Sequence, residues 1–336
     1  MVVDPPAGER APPDARLASC VIGKTLASVD ASFGQHLIWR LEALGFDLIT
    51  ALVRLLPVDT ASALGGRLLR WLGPKTSRQR LADRNLRLAF PEMDAARRAQ
   101  ILDAQWENVG RYFFEFMMMD RITPATGRVE VEGWERLRDL AEHGPAVVFV
   151  SGHLSNFEIM PSAILAAGVP CVITGRAANN PYFNDSMIRS RKRYGVKMFA
   201  PKGSDGTRDL LAALARGESV ALMNDQKNNQ GVAAPFFGHL AHTASGPTKF
   251  ALRTSGVLQP MSVQRLKGAR FKVIAHEPII LEQTGDRKAD VETGVRRINA
   301  FVEARVRERP EEWWWVHKRW ADEVYEALAK ADAGEE

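Results

Sequence analysis

Two cysteines, Cys20 and Cys171, are all that occur in 336 residues. That is too few for a disulfide framework and suits a reducing cytoplasm. No glycine-rich phosphate loop, Walker sequence, dinucleotide fingerprint or CxxC pair is present, so neither nucleotide nor paired-thiol chemistry is indicated. No window reaches the roughly 18 uncharged apolar residues of a transmembrane helix. The nearest stretch, residues 35–56, is broken by Arg40, Glu42, Asp47 and Arg54. It reads as an amphipathic helix, lying on a membrane or packed on the protein's own core. No signal peptide is expected either: residues 1–16 hold four prolines with Asp4, Glu9 and Asp14, and 1–30 is expected to be a disordered tail. Internal repeats and nucleic-acid-binding signatures are lacking, despite scattered tryptophans and a net charge of +5. His239 and His242 stand three apart but have no third ligand at metal spacing.

What is present is globular: 46% hydrophobic and 25% charged residues, enough for one large α/β domain with helical additions. The organising stretch is Ala146-Val-Val-Phe-Val-Ser-Gly-His-Leu-Ser-Asn-Phe-Glu158. Its apolar start predicts a buried strand, Ser151-Gly152 ends it, and Ser155-Asn156 are expected to cap a helix running to Ala167. His153 thus falls at a strand-to-helix turn, where open α/β sheets place ligands. Glu158 is expected to fold back onto Nδ1 of His153, leaving Nε2 to take a proton from a hydroxyl.

Upstream, helical patterns cover 60–72, 76–90 and 94–119, the second studded with Arg78, Arg80, Arg84 and Arg87. That basic face is solvated or meets an anionic lipid head group. Downstream, strands are expected at 170–175, 197–200 and 219–224, alternating with helices at 181–194 and 207–216. This rhythm predicts a mostly parallel central sheet flanked by helices. Residues 258–265 and 270–277 are expected as antiparallel edge strands around a Lys267-Gly268 turn. Arg176 should project from the end of its strand into the His153 cleft. Between Arg176 and Lys197 six basic residues face one acid, Asp185, so the stretch carries the whole formal excess of charge. Such a concentration suggests a polyanionic substrate or an acidic partner.

Gly152-His-Leu-Ser-Asn-Phe-Glu158 resembles the His-x4-Glu motif of the lipid A biosynthesis lauroyl/myristoyl acyltransferases. Further segments match in order: Asn85 to Pro91, Asp225-Gln226, Pro235-Phe-Phe-Gly238, Thr243 with Gly246, and Glu312-Trp-Trp-Trp-Val-His-Lys-Arg-Trp320. The resemblance spans residues 35–321 and departs in lacking a clean N-terminal membrane span. It implies a glycerolipid-acyltransferase-like α/β domain at 126–330, forming one unit with a helical, membrane-associating region at 31–125. It further implies transfer of a fatty acyl group from acyl carrier protein to a hydroxyl of an anionic lipid A precursor, without cofactor or metal. His153 is then the base and Glu158 its orienter. Arg176, Arg189, Arg191, Asp225 and Gln226 are expected to bind substrate or the oxyanion, with backbone N–H groups around Leu154–Asn156 as alternatives. The expected location is the cytoplasmic face of the bacterial inner membrane, peripheral or monotopic, held by residues 35–56 and the tryptophans near Trp313. Two other readings stay open: acylation of another glycolipid, such as a phosphatidylinositol mannoside, from acyl-CoA, and lipid binding without catalysis.

Overall fold

A computed structural model describes residues 31–175, 178–196, 199–201 and 204–333. The expected tail at 1–30 and Arg176 lie outside the described residues. Four helices come first: α1 (Phe33–Val53), α2 (Val58–Leu72), α3 (Ser77–Ala89) and α4 (Ala95–Phe116). Ser32 caps α1 by accepting the Gln35 N–H, and Asp94 caps α4 by accepting that of Arg97. Helices α2 and α4 cross at Gly65 and Gly110. A Cβ on Gly65 would lie 2.5 Å from the Gly110 carbonyl oxygen, so only glycine lets the two backbones touch.

The sheet is built from β1 (Val129–Glu132), β2 (Val148–Ser151), β3 (Cys171–Gly175), β4 (Phe199–Pro201), β5 (Ser219–Met223), β8 (Val257–Arg265) and β9 (Phe271–Ala275), in the order β1-β9-β8-β2-β5-β3-β4. Every neighbouring pair is parallel except β9 with β8, and the short β10 (Ile279–Ile280) pairs antiparallel with β8. Alternation along β2 sends Phe149 to one face and Val148 and Val150 to the other. Phe149 packs with Ile164 of α6 (Met160–Ala166). The two valines pack with Leu210 of α8 (Ser204–Ala215), Phe250 of α9 (Gly246–Arg253) and Ile298 of α10 (Arg287–Glu308). Both faces of β2 are therefore dry, as its unbroken apolar run requires. Helices α5 (Trp134–Glu142), α7 (Pro181–Arg193) and α11 (Asp322–Ala333) complete the helical complement among the described residues.

Several expectations are corrected. Sequence order is not spatial order in the sheet, since β5 lies between β2 and β3. The pair β8–β9 is antiparallel, with Gly268 at φ +62° in its turn, but it is internal and β1 holds the edge. Residues 227–243, which showed no strand pattern, form a separate hairpin of β6 (Lys227–Phe236) and β7 (His239–Thr243). Trp313, Trp315 and Trp320 are core residues at 0% exposure, not interfacial anchors. Their indole N–H groups are satisfied inside, by Asp225, the Pro310 carbonyl and the Phe236 carbonyl respectively.

Candidate active site

The parallel register pairs Ser151 at the end of β2 with Met223 at the end of β5. Two residues beyond each lie His153 and Asp225. His153 Nδ1 is 2.6 Å from Asp225 Oδ1, and the His153 backbone N–H donates to Oδ2 at 2.7 Å. Trp313 Nε1 donates to the same Oδ2 at 2.8 Å. Gly152 makes this approach feasible, since a Cβ there would stand 2.9 Å from Val302 Cγ1 and 3.2 Å from Asp225 Oδ2.

Burial would raise the Asp225 carboxyl, but the charge and hydrogen bonds of His153 outweigh it and hold the group well below the usual carboxylate range. An ionised carboxylate only accepts, so Nδ1 carries its hydrogen toward Asp225, and in the neutral ring the lone pair falls on Nε2. Nε2 faces the side-chain amide of Gln226 at 3.5 Å. Phe157 stands edge-on to the imidazole at 4.7 Å between centroids, with Trp314 at 6.2 Å. Behind Asp225, burial pushes the His317 imidazole down to about 4 against the pull of the Asp225 charge. It is therefore a neutral neighbour and not a proton store.

The carboxylate on Nδ1 is thus Asp225, correcting the expectation that Glu158 fills that role. The expected continuous helix begins instead as a 3-10 turn, Phe157–Ile159. Neither Ser155 nor Asn156 caps it: Ser155 sits at φ +46° and Asn156 donates to Glu115 at 2.9 Å. In this turn Phe157 takes the place beside His153, and Glu158 points toward α7. There it receives Arg191 Nη2 at 2.6 Å and the Tyr194 hydroxyl at 2.6 Å. Burial favours the neutral acid, but Arg191 and the two donors prevail and keep the Glu158 carboxyl below its ordinary value. Burial also drives the Tyr194 hydroxyl well above its usual range, with the Glu158 charge reinforcing it.

Of the remaining expected site residues, Arg191 is not surface charge. It is nearly buried on Glu158, whereas Arg189 reaches Asp47 of α1 at 2.9 Å, away from the histidine. Backbone donors fare similarly: Leu154 N–H goes to the Gly152 carbonyl at 2.8 Å and Ser155 N–H to the Glu312 carbonyl at 2.6 Å. Asp225, expected to meet substrate or oxyanion, carries no proton to donate and serves His153 instead. Sequence reasoning missed Trp313 and Tyr194 as partners of the two carboxylates. The tryptophan-rich segment signalled only likeness, and Tyr194 gave no signal at all. Cys171 is buried, and burial pushes its thiol far above the usual range, which leaves it inert as a nucleophile. His239 and His242 donate locally, to the Leu88 and Gly231 carbonyls, and no metal-holding cluster occurs among the described residues.

Beside Phe157 opens a pocket. Phe149, Pro161, Ile164, Ile173, Met223 and Met261 line it, with Glu158 and Arg191 in the wall. An apolar cavity next to an oriented imidazole suits a substrate with a hydrocarbon chain and a reactive end.

Residues 36–322 match the family model described as bacterial lipid A biosynthesis acyltransferase. The chain belongs to that family. It is an acyltransferase of lipid A biosynthesis. The Escherichia coli (strain K12) lipid A biosynthesis palmitoleoyltransferase is 24% identical over 269 residues, 79% of this chain and 86% of the relative. The lauroyltransferase of the same organism is 27% identical over 251 residues, covering 72% and 78%, and its myristoyltransferase 24% over 270 residues, covering 77% and 80%. Among solved structures, the 1-acyl-sn-glycerophosphate acyltransferase PlsC of Thermotoga maritima covers 76% of this chain and 98% of its own, with a TM-score of 0.35 and 13% identity.

Proposed function

We propose that the protein moves a fatty acyl group from the thioester of acyl carrier protein to a hydroxyl of a lipid A precursor, as a late secondary acylation. The observation that carries this reading is the His153 imidazole fixed on the buried Asp225 carboxylate, which in the neutral ring leaves the Nε2 lone pair to a hydroxyl. An alcohol is a poor nucleophile at neutral pH. Removal of its proton in the transition state contributes about 10²–10⁴-fold, and Asp225 stabilises the imidazolium that forms. The apolar pocket beside Phe157 takes the hydrocarbon chain in this reading. Glu158 and Arg191 shape its wall and are not proton carriers.

The same reading seats the protein on the cytoplasmic face of the inner membrane without a span. Among the described residues no helix is long and apolar enough to cross a membrane. Support for a surface seat comes from α1, where Leu44 and Leu48 are 64% and 58% exposed, and from Trp71 of α2 at 63%. Each such side chain gains about 1.5–3 kcal/mol on full burial, and tryptophan favours the lipid–water boundary.

Thiol release from dodecanoyl-acyl carrier protein, with a lipid A precursor as acceptor, tests the proposal, with dodecanoyl-CoA run in parallel. Release that requires His153 and is faster from the carrier protein is the expected result. Saturable association without release would identify a binder instead. Preference for CoA would overturn the choice of donor.

A further inference from the structure

A hydroxyl attacking a thioester leaves negative charge on the former carbonyl oxygen, within a few ångströms of His153 Nε2. Donors already aimed at that position do most to lower the barrier. Most of the candidates are engaged elsewhere. Leu154 and Ser155 N–H groups bind the Gly152 and Glu312 carbonyls, Trp313 Nε1 binds Asp225, Arg191 binds Glu158, and Arg189 binds Asp47 and Ser186. Gln226 differs, because its Nε2 lies 3.5 Å from His153 Nε2 and its side chain is exposed at the mouth of the site.

We propose that Gln226 is the side-chain donor to the oxyanion in this acyl transfer. The inference rests on the His153 reading above. The backbone entering Gln226 is fixed by Asp225, whose carboxylate takes three hydrogen bonds, and the backbone leaving it by Lys227, the first residue of β6. At rest the amide makes only an outer-limit hydrogen bond to the Nε2 lone pair. When the acceptor hydroxyl takes that lone pair, the amide loses its partner just as charge develops beside it. A neutral amide also suits the task, since it donates without competing for the proton.

In the first step the hydroxyl oxygen bonds to the thioester carbon, its proton passes to His153 Nε2, and the carbonyl π pair moves to oxygen, where the Gln226 N–H meets it. The oxyanion then re-forms the carbonyl, the C–S bond breaks, and the sulfur leaves with the proton from His153. Ester and thiol are the products.

The test uses the full chain with dodecanoyl-acyl carrier protein and a lipid A precursor, comparing Gln226→Ala and Gln226→Glu with His153→Ala. Thermal midpoints are recorded for each. Gln226→Ala should lower kcat by about 10²–10³-fold, with KM for both substrates within about threefold. Gln226→Glu should lose at least as much, because an ionised carboxylate accepts and repels. Near-normal kcat in Gln226→Ala overturns the inference, as does a raised KM for the lipid with kcat kept. Turnover surviving in His153→Ala defeats the reading of the whole site; turnover surviving only in Gln226→Ala defeats this inference alone.

Discussion

Glu158 and Asp225 divide the work that one carboxylate was expected to do. Asp225 lies 2.6 Å from His153 Nδ1, while Glu158 is held 2.6 Å from Arg191 in the pocket wall. The two acids therefore answer differently to removal of their charge.

Asp225→Asn should cut kcat by about 10²–10⁴-fold, since an amide can hold the ring in the wrong tautomer. Glu158→Gln should act first on stability, because it removes the carboxylate charge that Arg191 and Tyr194 donate to, and breaking a buried ion pair costs about 3–5 kcal/mol. Urea unfolding and steady-state kinetics on both variants check this. A stable, inactive Glu158→Gln protein would return the catalytic role to Glu158.

Trp313→Phe keeps an aromatic ring in the core and removes one donor from Asp225 Oδ2. A hydrogen bond to a charged group contributes about 1.5–3 kcal/mol. The Asp225 carboxyl should then titrate higher while staying ionised at neutral pH, and the unfolding free energy in urea at pH 7 should fall by that amount. An unchanged unfolding free energy contradicts the assignment.

His317 sets a pH dependence of stability. Its folded pKa is about 4, against about 6.5 for a free imidazole. Between those values the unfolded chain binds a proton that the folded one refuses, so stability falls as pH drops from about 6.5 to 4 and is restored above it. The contribution is on the order of 3 kcal/mol. His317→Asn should flatten this slope in urea midpoints taken at pH 7 and 4.5, although His276, also near 4 through burial and Arg305, keeps part of it. An undiminished slope would show that His317 does not resist protonation.

Leu44→Asp with Leu48→Asp should release the protein from anionic vesicles in sedimentation, with the melting midpoint unchanged, because both side chains face outward. Undiminished binding would remove α1 from the membrane seat.

The turn that carries His153 was legible because an apolar run ending in Ser-Gly-His has few other readings. Most helices of the N-terminal half were legible from their periodicity. Strand order was not, because no local pattern says whether β3 or β5 lies beside β2. That ambiguity hid the partner of His153, because only the pairing of β2 with β5 brings Asp225 to it. The hairpin β6–β7 was obscured by Gly231 and Pro235 and by exposed polar residues at 228–230. The tryptophans misled for a physical reason: an indole suits a membrane boundary or a core with a buried acceptor, and two of the acceptors here, Asp225 and the Phe236 carbonyl, come from distant segments.

The catalytic turn is stitched to the far end of the chain, with Leu154 bridged to Trp313 and Ser155 bonded to the Glu312 carbonyl. His153 thus leaves the ribosome long before the residues that complete its setting. At about 5–20 residues per second, the delay is roughly ten to thirty seconds. Helix α1 and the first strands emerge while the imidazole is still unoriented. A growing or prematurely ended chain therefore lacks the Glu312 and Trp313 contacts that hold this turn, and they form only as the C-terminal segment docks.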